Sequence, residues 1–201
     1  DEGIDLLSEL VPSLEERLGL YDRLVIVAKM ILAKSKFKTD HTEESILMMA
    51  ALHISLSDEL GVGDSMTKIV ETQWINMLID LERWGEVDEK MEKQFTRQTD
   101  DADLLLELSE NIIQNGHMEY KERYSDLALK AAQRAVSIKG ELASAATFVL
   151  AQVYFSRGEY VEASNWYAKS IAFADEDNED IEMYRSKFQE VTTKLKDTVE
   201  E

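Results

Sequence analysis

Residues 144–175 read SAATFVLAQVYFSRGEYVEASNWYAKSIAFAD, and the pattern in this stretch decides the fold. Apolar side chains recur every three or four residues in two successive segments, which is the spacing of one face of an α-helix. The two faces comprise Phe148, Leu150, Ala151, Tyr154 and Phe155, followed by Tyr160, Ala163, Tyr167 and Ile171. Gly158 lies between the segments, and glycine adopts the left-handed conformation that ends many helices without a steric cost. The stretch therefore predicts a helical hairpin whose helices approach most closely at Ala151 and Ala163.

This hairpin resembles a tetratricopeptide repeat, a helix–turn–helix unit of about 34 residues. With Ser144 as the first position, the residues that match the family pattern are Leu150, Ala151, Tyr154, Ala163 and Tyr167. Two positions depart from it, because Thr147 stands where the family often has Trp and Asp175 where it often has Pro. The matched positions are packing residues in the family, so the resemblance implies a scaffold of stacked helix pairs.

Residues 65–98 resemble the same repeat, with one helix from Ser65 to about Arg83 and another from Val87 to Gln98. If Gly85 corresponds to Gly158, the first-helix pattern of Trp, Leu, Gly and Tyr falls on Trp74, Met77, Leu78 and Leu81. Lys90 then replaces the small residue of the second helix, which predicts splayed helices.

A further hairpin is predicted between these two. Its first helix is predicted from Ala102 to Asn115, where the pair Asn115-Gly116 terminates it. Its second helix is predicted from about Ser125 to Ile138. Residues 117–123 are predicted to be an inserted loop, because the spacing between the turn glycines exceeds the family's period here.

Residues 1–64 match no repeat, although their pattern is helical. The expected helices are Glu2–Val11, a second from Ser13 to about Lys36, and a third that opens at a cap formed by Asp40 and Glu43. Pro12 is expected to separate the first helix from the second, because proline lacks the amide hydrogen that an interior helical turn needs.

At the other end of the chain, residues 176–180 are predicted to form an acidic loop. A last helix follows, with its apolar stripe on Ile181, Tyr184, Phe188, Val191 and Leu195. A repeat array needs such a capping helix at its end.

The sequence thus predicts an all-α fold, a stack of about nine or ten antiparallel helices in hairpins. It divides into an N-terminal helical segment, residues 1–64, and a tetratricopeptide-like array with its capping helix, residues 65–201. The hairpin of residues 102–138 and the hairpin of residues 144–175 together are also similar to the helical tail that follows a thioredoxin-like domain in some bacterial proteins. That similarity implies an accessory domain of a larger protein, with any redox chemistry elsewhere.

Composition narrows the range of partners. The 201 residues include 41 Asp and Glu against 22 Lys and Arg, a formal net charge of −19, which disfavours nucleic acid and anionic lipid as partners. The longest apolar run, residues 24–33, is interrupted by Lys29 and is far shorter than the roughly 20 residues that span a bilayer. No membrane insertion is therefore expected.

The sequence carries no recognisable catalytic, cofactor or metal motif. There is no Cys, and His41, His53 and His117 show no ligand spacing. Gly61-Val62-Gly63 lacks the remainder of a phosphate-binding loop. The acids of residues 175–182 lack the pattern of a calcium loop. Neither a cofactor nor a metal is predicted, and an enzyme with a pocket between helices is kept as an alternative.

Protein binding without catalysis is the function that the resemblance implies. Family members that grip a peptide's terminal carboxylate use Lys and Asn on the first helix, but here those positions carry Phe148 and Gln152, and Leu106 and Glu110. The inner groove is therefore expected to be mostly apolar and to bind a peptide or a partner protein. The residues predicted to contact that partner are Leu106, Ile113, Phe148, Gln152 and Phe155. The alternatives are that the helices of residues 14–60 cover this groove, or that the chain is a structural spacer.

Overall fold

The computed structural model describes residues 2–39, 41–98, 100–141, 143–175 and 178–200. These residues form ten α-helices and no strand, which confirms the predicted all-α class. The helices are α1 Glu2–Leu18, α2 Arg23–Phe37, α3 Thr42–Glu59, α4 Ser65–Asp80, α5 Trp84–Gln98, α6 Ala102–Gln114, α7 Met118–Lys139, α8 Ser144–Ser156, α9 Tyr160–Ala172 and α10 Ile181–Glu200. Among the described helices, none is both long and apolar enough to cross a bilayer.

The chain divides into two compact units, an N-terminal unit of residues 1–90 and a C-terminal unit of residues 91–201, with the division inside α5. In the first unit, α1 packs on α2, α2 on α3 and α3 on α4. In the second, α6 packs on α7 and on α8, α8 on α9 and α9 on α10. The predicted division at residue 64 rests on resemblance to a repeat, which packing does not test, and it stays a prediction.

The prediction that Pro12 breaks the first helix is wrong. Helix α1 continues through exposed Pro12 to Leu18, and the chain breaks instead at Gly19, which has a φ of +91°. The Val11 side chain is buried against Ala28 and Leu32 of α2. We attribute the continuous helix to this packing, which offsets the roughly 3 kcal/mol that an interior proline costs. The predicted cap at Asp40 lies outside the described residues, and α3 begins at Thr42.

The hairpin of α8 and α9 forms as predicted. Gly158 has a φ of +75° and donates its N–H to the Phe155 carbonyl, and Glu159 donates to the Tyr154 carbonyl, at 3.0 Å in both cases. These two bonds are the Schellman arrangement that satisfies the last carbonyls of a helix. Ala151 and Ala163 are fully buried in one cluster, and closest approach of the two helices at these residues stays a prediction.

The proposed equivalence of Gly85 and Gly158 is wrong by three residues. Gly85 lies in the first turn of α5, and the left-handed residue that ends α4 is Glu82, with a φ of +56°. Glu82 donates to the Ile79 carbonyl and Arg83 to the Leu78 carbonyl, the same two bonds that surround Gly158. A sequence search for a turn finds glycine because glycine is the usual residue there, and a glutamate in that conformation gives no such signal.

The corrected equivalence changes which residue occupies the small position of α5. Val87, and not Lys90, now corresponds to Ala163, and it is fully buried. Lys90 instead places its ammonium 2.8 Å from the centre of the Trp74 ring. This contact does not test the predicted splay of α4 and α5, which stays a prediction.

The predicted loop at residues 117–123 is helical from Met118 onward. The Asn115 carboxamide oxygen accepts the N–H of His117 at 2.8 Å, and α7 begins at Met118. Tyr120 and Tyr124 are buried one helical turn apart, with ring centres 4.8 Å apart. Burial of the two aromatic rings stabilises these additional helical turns. The repeat period alone predicts an inserted loop for the same residues.

The C-terminal helix carries its predicted apolar stripe on the packed side. Tyr184 and Val191 are buried, and Phe188 packs beside them against a cluster that includes Ala163 and Tyr167. The described part of the acidic loop includes Asn178, whose side-chain oxygen accepts the N–H of Asp180 at 2.8 Å. Its residues 176 and 177 lie outside the described part of the chain.

Candidate functional site

A cavity of about 280 Å³ opens on the C-terminal unit and is called the acidic groove here. Helix α6 supplies one wall, the first half of α8 supplies the floor, and the start of α10 supplies the other wall. Its lining residues are Asp103, Leu106, Glu107, Glu110, Ala145, Phe148, Val149, Asp180, Met183 and Tyr184. Small Ala145 is exposed and leaves the space open at the start of α8.

Aromatic stacking fixes the floor of the acidic groove. The Phe148 ring stacks on Tyr184 with centres 4.2 Å apart and an interplanar angle of 23°, and it meets Tyr167 at 5.5 Å in a tilted contact. Phe148 is 5% exposed and Tyr184 2%. Helix α10 therefore helps to build the floor, which is rigid because three buried rings hold one another.

The Tyr184 phenol is held in its protonated form. Burial raises the pKa of Tyr184, and the nearby Asp180 carboxylate adds to that rise, whereas hydrogen bonds with Asn178 and Ser144 act in the opposite sense. Glu110 contributes a smaller rise, which places its charge near the same phenol. A neutral, almost fully buried phenol therefore helps to line the groove near these carboxylates.

The rim of the groove is negatively charged. Four carboxylates line it, and its described lining contains no Lys or Arg. Lys139 forms an ion pair with Asp103, whose side chain is 81% exposed. Burial raises the pKa of Glu110, and the neighbouring charge of Glu107 raises it further. Among the described residues, no cation pairs with the Glu110 carboxylate, whose raised pKa reflects burial and the charge of Glu107.

The structure places the five predicted contact residues in different surroundings. Leu106 and Phe148 lie together in the acidic groove, but both are mostly buried. Gln152 is half-buried, and its Oε1 atom is buried without a hydrogen-bond partner. Phe155 packs on Tyr160 at 5.5 Å. Ile113 lines a separate cavity, so the five do not line one common cavity, and their contact with a partner stays a prediction.

That separate cavity, of about 410 Å³, lies beside the start of α7 and the turn after α8. Its lining includes exposed Met118 and a guanidinium, Arg157. Arg157 is already bound to Asp126 at 2.8 Å and to Glu159, and these contacts raise its pKa. Lys121, Glu122 and Glu159 also line this cavity, so its charges are of both signs, in contrast to the carboxylates of the acidic groove.

A buried polar cluster in the N-terminal unit bears on the enzyme alternative. His53 Nε2 lies 3.4 Å from Ser57 Oγ and 3.5 Å from Glu71 Oε1. A serine–histidine–acid relay needs the two partners on different ring nitrogens. Both contacts here converge on one nitrogen, so this cluster does not have that geometry. In the described ranges, no group of three or more His, Asp or Glu side chains could hold a metal ion.

Helix α2 exposes an apolar stripe on the N-terminal unit. The stripe consists of Leu20, just before the helix, with Leu24, Val27 and Ile31. The spacing of Leu24, Val27 and Ile31 by three and four residues puts these three on one side of the helix. The four side chains are exposed, and the charged residues Arg23 and Lys34, also exposed, lie at helical spacing from Val27 and Ile31.

The sequence reasoning missed Glu107, Glu110, Asp180 and Tyr184 as site residues. One signal was available, because Asp103, Glu107 and Glu110 recur at four and three residues and so lie along one side of α6. The approach of Asp180 and Tyr184 to that side is a tertiary feature that no local pattern indicates.

Comparison with known protein families and with curated proteins finds no match to this chain. The resemblance to tetratricopeptide repeats therefore depends on the residue pattern alone.

Proposed function

We propose that this chain is a non-catalytic protein-binding module with a tetratricopeptide-like arrangement of helices, and that the acidic groove receives a segment of a partner protein. The observation that carries the proposal is a solvent-open groove with a rigid apolar floor and a rim of carboxylates. Its volume of about 280 Å³ is near the lower end of ligand pockets. It suits one or two side chains of a peptide better than a cofactor.

Preorganisation favours binding at this site. The floor is held by stacked rings, so little side-chain freedom is lost when a peptide covers it. Met183 is 44% exposed beside the floor, and its flexible thioether adapts to the shape of an incoming side chain. The ionisable groups that line the described part of the groove are four carboxylates and one protonated phenol. The proposal accordingly assigns no catalytic residue.

The test is a selection of binding peptides on the full chain. A phage-displayed library of random peptides is passed over the wild-type protein, and enriched sequences are synthesised with a fluorescent label for anisotropy measurements. The groove is then blocked by Ala145→Trp, which adds a large side chain at an exposed position in the lining. Ala168→Trp is the matched control, because Ala168 is also an exposed helical alanine but lies on α9 outside the groove.

We expect enriched peptides to bind the wild type and Ala168→Trp with similar affinity and to lose at least tenfold, roughly, on Ala145→Trp. Melting curves of the three proteins check that each is folded. If every enriched peptide binds Ala145→Trp as well as the control, the groove is not the binding site and the proposal is wrong.

A further inference from the structure

We infer that the exposed face of α2 is a second docking surface and that it binds an acidic amphipathic helix of a partner protein. This surface is called the basic face here. It consists of three apolar residues bracketed by three cations, all of them exposed: Arg23, Leu24, Val27, Ile31, Lys34 and Lys38. The inference goes beyond the proposed function and does not rest on it, because the basic face belongs to the N-terminal unit and the acidic groove to the C-terminal unit.

The charge of the basic face is opposite to that of the molecule. Residues 23–38 contain five Lys or Arg and no Asp or Glu, although the chain as a whole has a formal net charge of −19. Two of these lysines form ion pairs with acids of α1 and α3. Lys34 donates instead to the uncharged Gln73 side chain, whose Oε1 atom lies 2.7 Å from the Lys34 Nζ atom. Asp22, the acid just before the helix, accepts the Leu24 N–H at 2.8 Å as the N-cap.

The stability of α2 explains only part of this pattern. Lysines at the C-terminal end of a helix interact favourably with its dipole, which accounts for Lys34 and Lys38. Arg23 is the first residue of α2, where the dipole is positive and disfavours a cation. Leu24 and Ile31 are 55% and 48% exposed, so they contribute little to the core. An apolar stripe beside a cation that the helix itself does not favour is typical of an interaction surface.

The spacing of the basic face indicates the shape of its occupant. Leu24, Val27 and Ile31 span two helical turns, about 10 Å along the axis. Apolar side chains at the same three- and four-residue spacing on a second helix match such a stripe. Arg23 precedes the stripe and Lys34 follows it, so a complementary helix carries Asp or Glu on both sides of its apolar residues.

Charge also distinguishes this occupant from a second copy of the chain and from a lipid surface. Two basic faces packed on each other bring cations against cations, which opposes a symmetric dimer. An anionic membrane extends along a broad side of the molecule, whose net charge of −19 repels it. A single helix about 10 Å wide covers the basic face alone, and salt screens charges that lie beyond a Debye length of about 8 Å. The basic face therefore favours an acidic helix over both alternatives.

The experiment uses the full chain and a synthetic peptide of about 18 residues, or five helical turns. The peptide carries leucines at three- and four-residue spacing, two glutamates on either side of them and alanine elsewhere. A lactam bridge on the opposite side holds the peptide helical. A comparison peptide has glutamine in place of each glutamate. Both carry a fluorescent label, and anisotropy measures their binding.

We expect the acidic peptide to bind saturably and the glutamine peptide to bind about tenfold more weakly. The net charge of −19 by itself predicts the reverse order, because it repels the acidic peptide and not the neutral one. The order of the two affinities therefore decides between a local basic face and the charge of the whole molecule.

Matched variants locate the contact. Ile31→Gln changes the apolar stripe, and Ile138→Gln is its control, because Ile138 is an isoleucine of similar exposure on α7. Lys34→Gln removes one cation of the basic face, and its control is Lys130→Gln, an exposed lysine on α7. We expect Ile31→Gln and Lys34→Gln each to weaken binding of the acidic peptide about fivefold or more, and both controls to change it less than about twofold. With the glutamine peptide the effect of Lys34→Gln should disappear, since the carboxylates that it binds are then missing.

Several results would overturn the inference. The acidic peptide does not bind, it binds more weakly than the glutamine peptide, or it binds Ile31→Gln as tightly as Ile138→Gln. Vesicles of phosphatidylserine that bind the wild type and not Ile31→Gln, while the peptide fails to bind, assign the face to lipid. A wild-type dimer that Ile31→Gln converts to a monomer assigns it to a second copy of the chain.

Melting curves show whether each variant is folded. If Ile31→Gln is unfolded, Leu24→Gln is measured against the same control and decides in the same way, because Leu24 is the more exposed of the two. None of these measurements involves Ala145→Trp, so the failure of this inference and the failure of the proposed function are distinguishable.

Discussion

At the scale of single residues, two helix ends in this chain use the same backbone bonds with different residues. Gly158 ends α8 and Glu82 ends α4, both in the left-handed region. An L-residue in this conformation brings its Cβ close to the following carbonyl, at a cost of roughly 1–2 kcal/mol that glycine avoids. Glu82 is exposed, so nothing in its packing offsets this strain.

Glu82→Gly should therefore stabilise the chain by about 0.5–1 kcal/mol, since relief of the strain exceeds the extra freedom that glycine gives the unfolded chain. Thermal and urea unfolding measure the change. In the reverse experiment, Gly158→Ala should destabilise by about 1 kcal/mol; a Cβ there meets no atom within 4 Å, so the loss reflects backbone strain alone. A lower melting temperature for Glu82→Gly would contradict this account of the α4 end.

Glu110 gives a pH-dependent prediction. Its folded-state pKa is raised above the ordinary value of 4.5, so the folded protein holds this proton more tightly than the unfolded chain does. Stability from this group is thus present below the unfolded pKa and is lost as pH rises through the folded pKa. Glutamine cannot ionise, and Glu110→Gln should raise the melting temperature relative to wild type at pH 7 and by less at pH 4. A difference that is larger at pH 4 would show that the carboxylate is stabilised by a partner.

At the scale of helices, the predictions are correct where the local sequence signals agree with the packing of the folded chain. The α8–α9 hairpin was predicted because the apolar period, the small residues and the turn glycine all indicate the same structure, and α10 was predicted from its apolar period. The predictions at Pro12, Gly85 and residues 117–123 failed because packing or an unusual residue overrides the local signal. Val11 stabilises a helix through a proline, Glu82 replaces the expected glycine, and Tyr120 with Tyr124 extends α7.

Two substitutions on α9 test the close contact predicted within the α8–α9 hairpin. Ala163 is fully buried, whereas Ala168 is exposed five residues later on the same helix. Ala163→Leu should overpack the contact and destabilise the chain by about 1–3 kcal/mol, and Ala168→Leu should change stability by less than about 0.5 kcal/mol. Chemical denaturation of both variants gives the comparison. Equal stabilities would mean that the helices are not closest at Ala163.

At the scale of the whole molecule, the candidate site shows where sequence reasoning stops. The repeat pattern selected Leu106 and Phe148, and both line the acidic groove, where they are 7% and 5% exposed. Tyr184 of α10 covers Phe148, and that contact joins residues 36 positions apart in the chain. The acids of α6 are visible in the sequence, but 41 acidic residues obscure which of them line a groove.

The central claim is that a partner peptide binds in the acidic groove, and mapping of the bound peptide tests it most directly. The isotope-labelled full chain is titrated with a peptide enriched in the selection, and amide chemical-shift changes are followed by NMR. We predict the largest changes in three segments around the groove, at Leu106 to Glu110 on α6, at Ala145 on α8 and at Met183 on α10. Changes confined to residues 1–90, for example along Leu24 to Ile31 of α2, would contradict the claim and place the binding surface on the exposed apolar stripe.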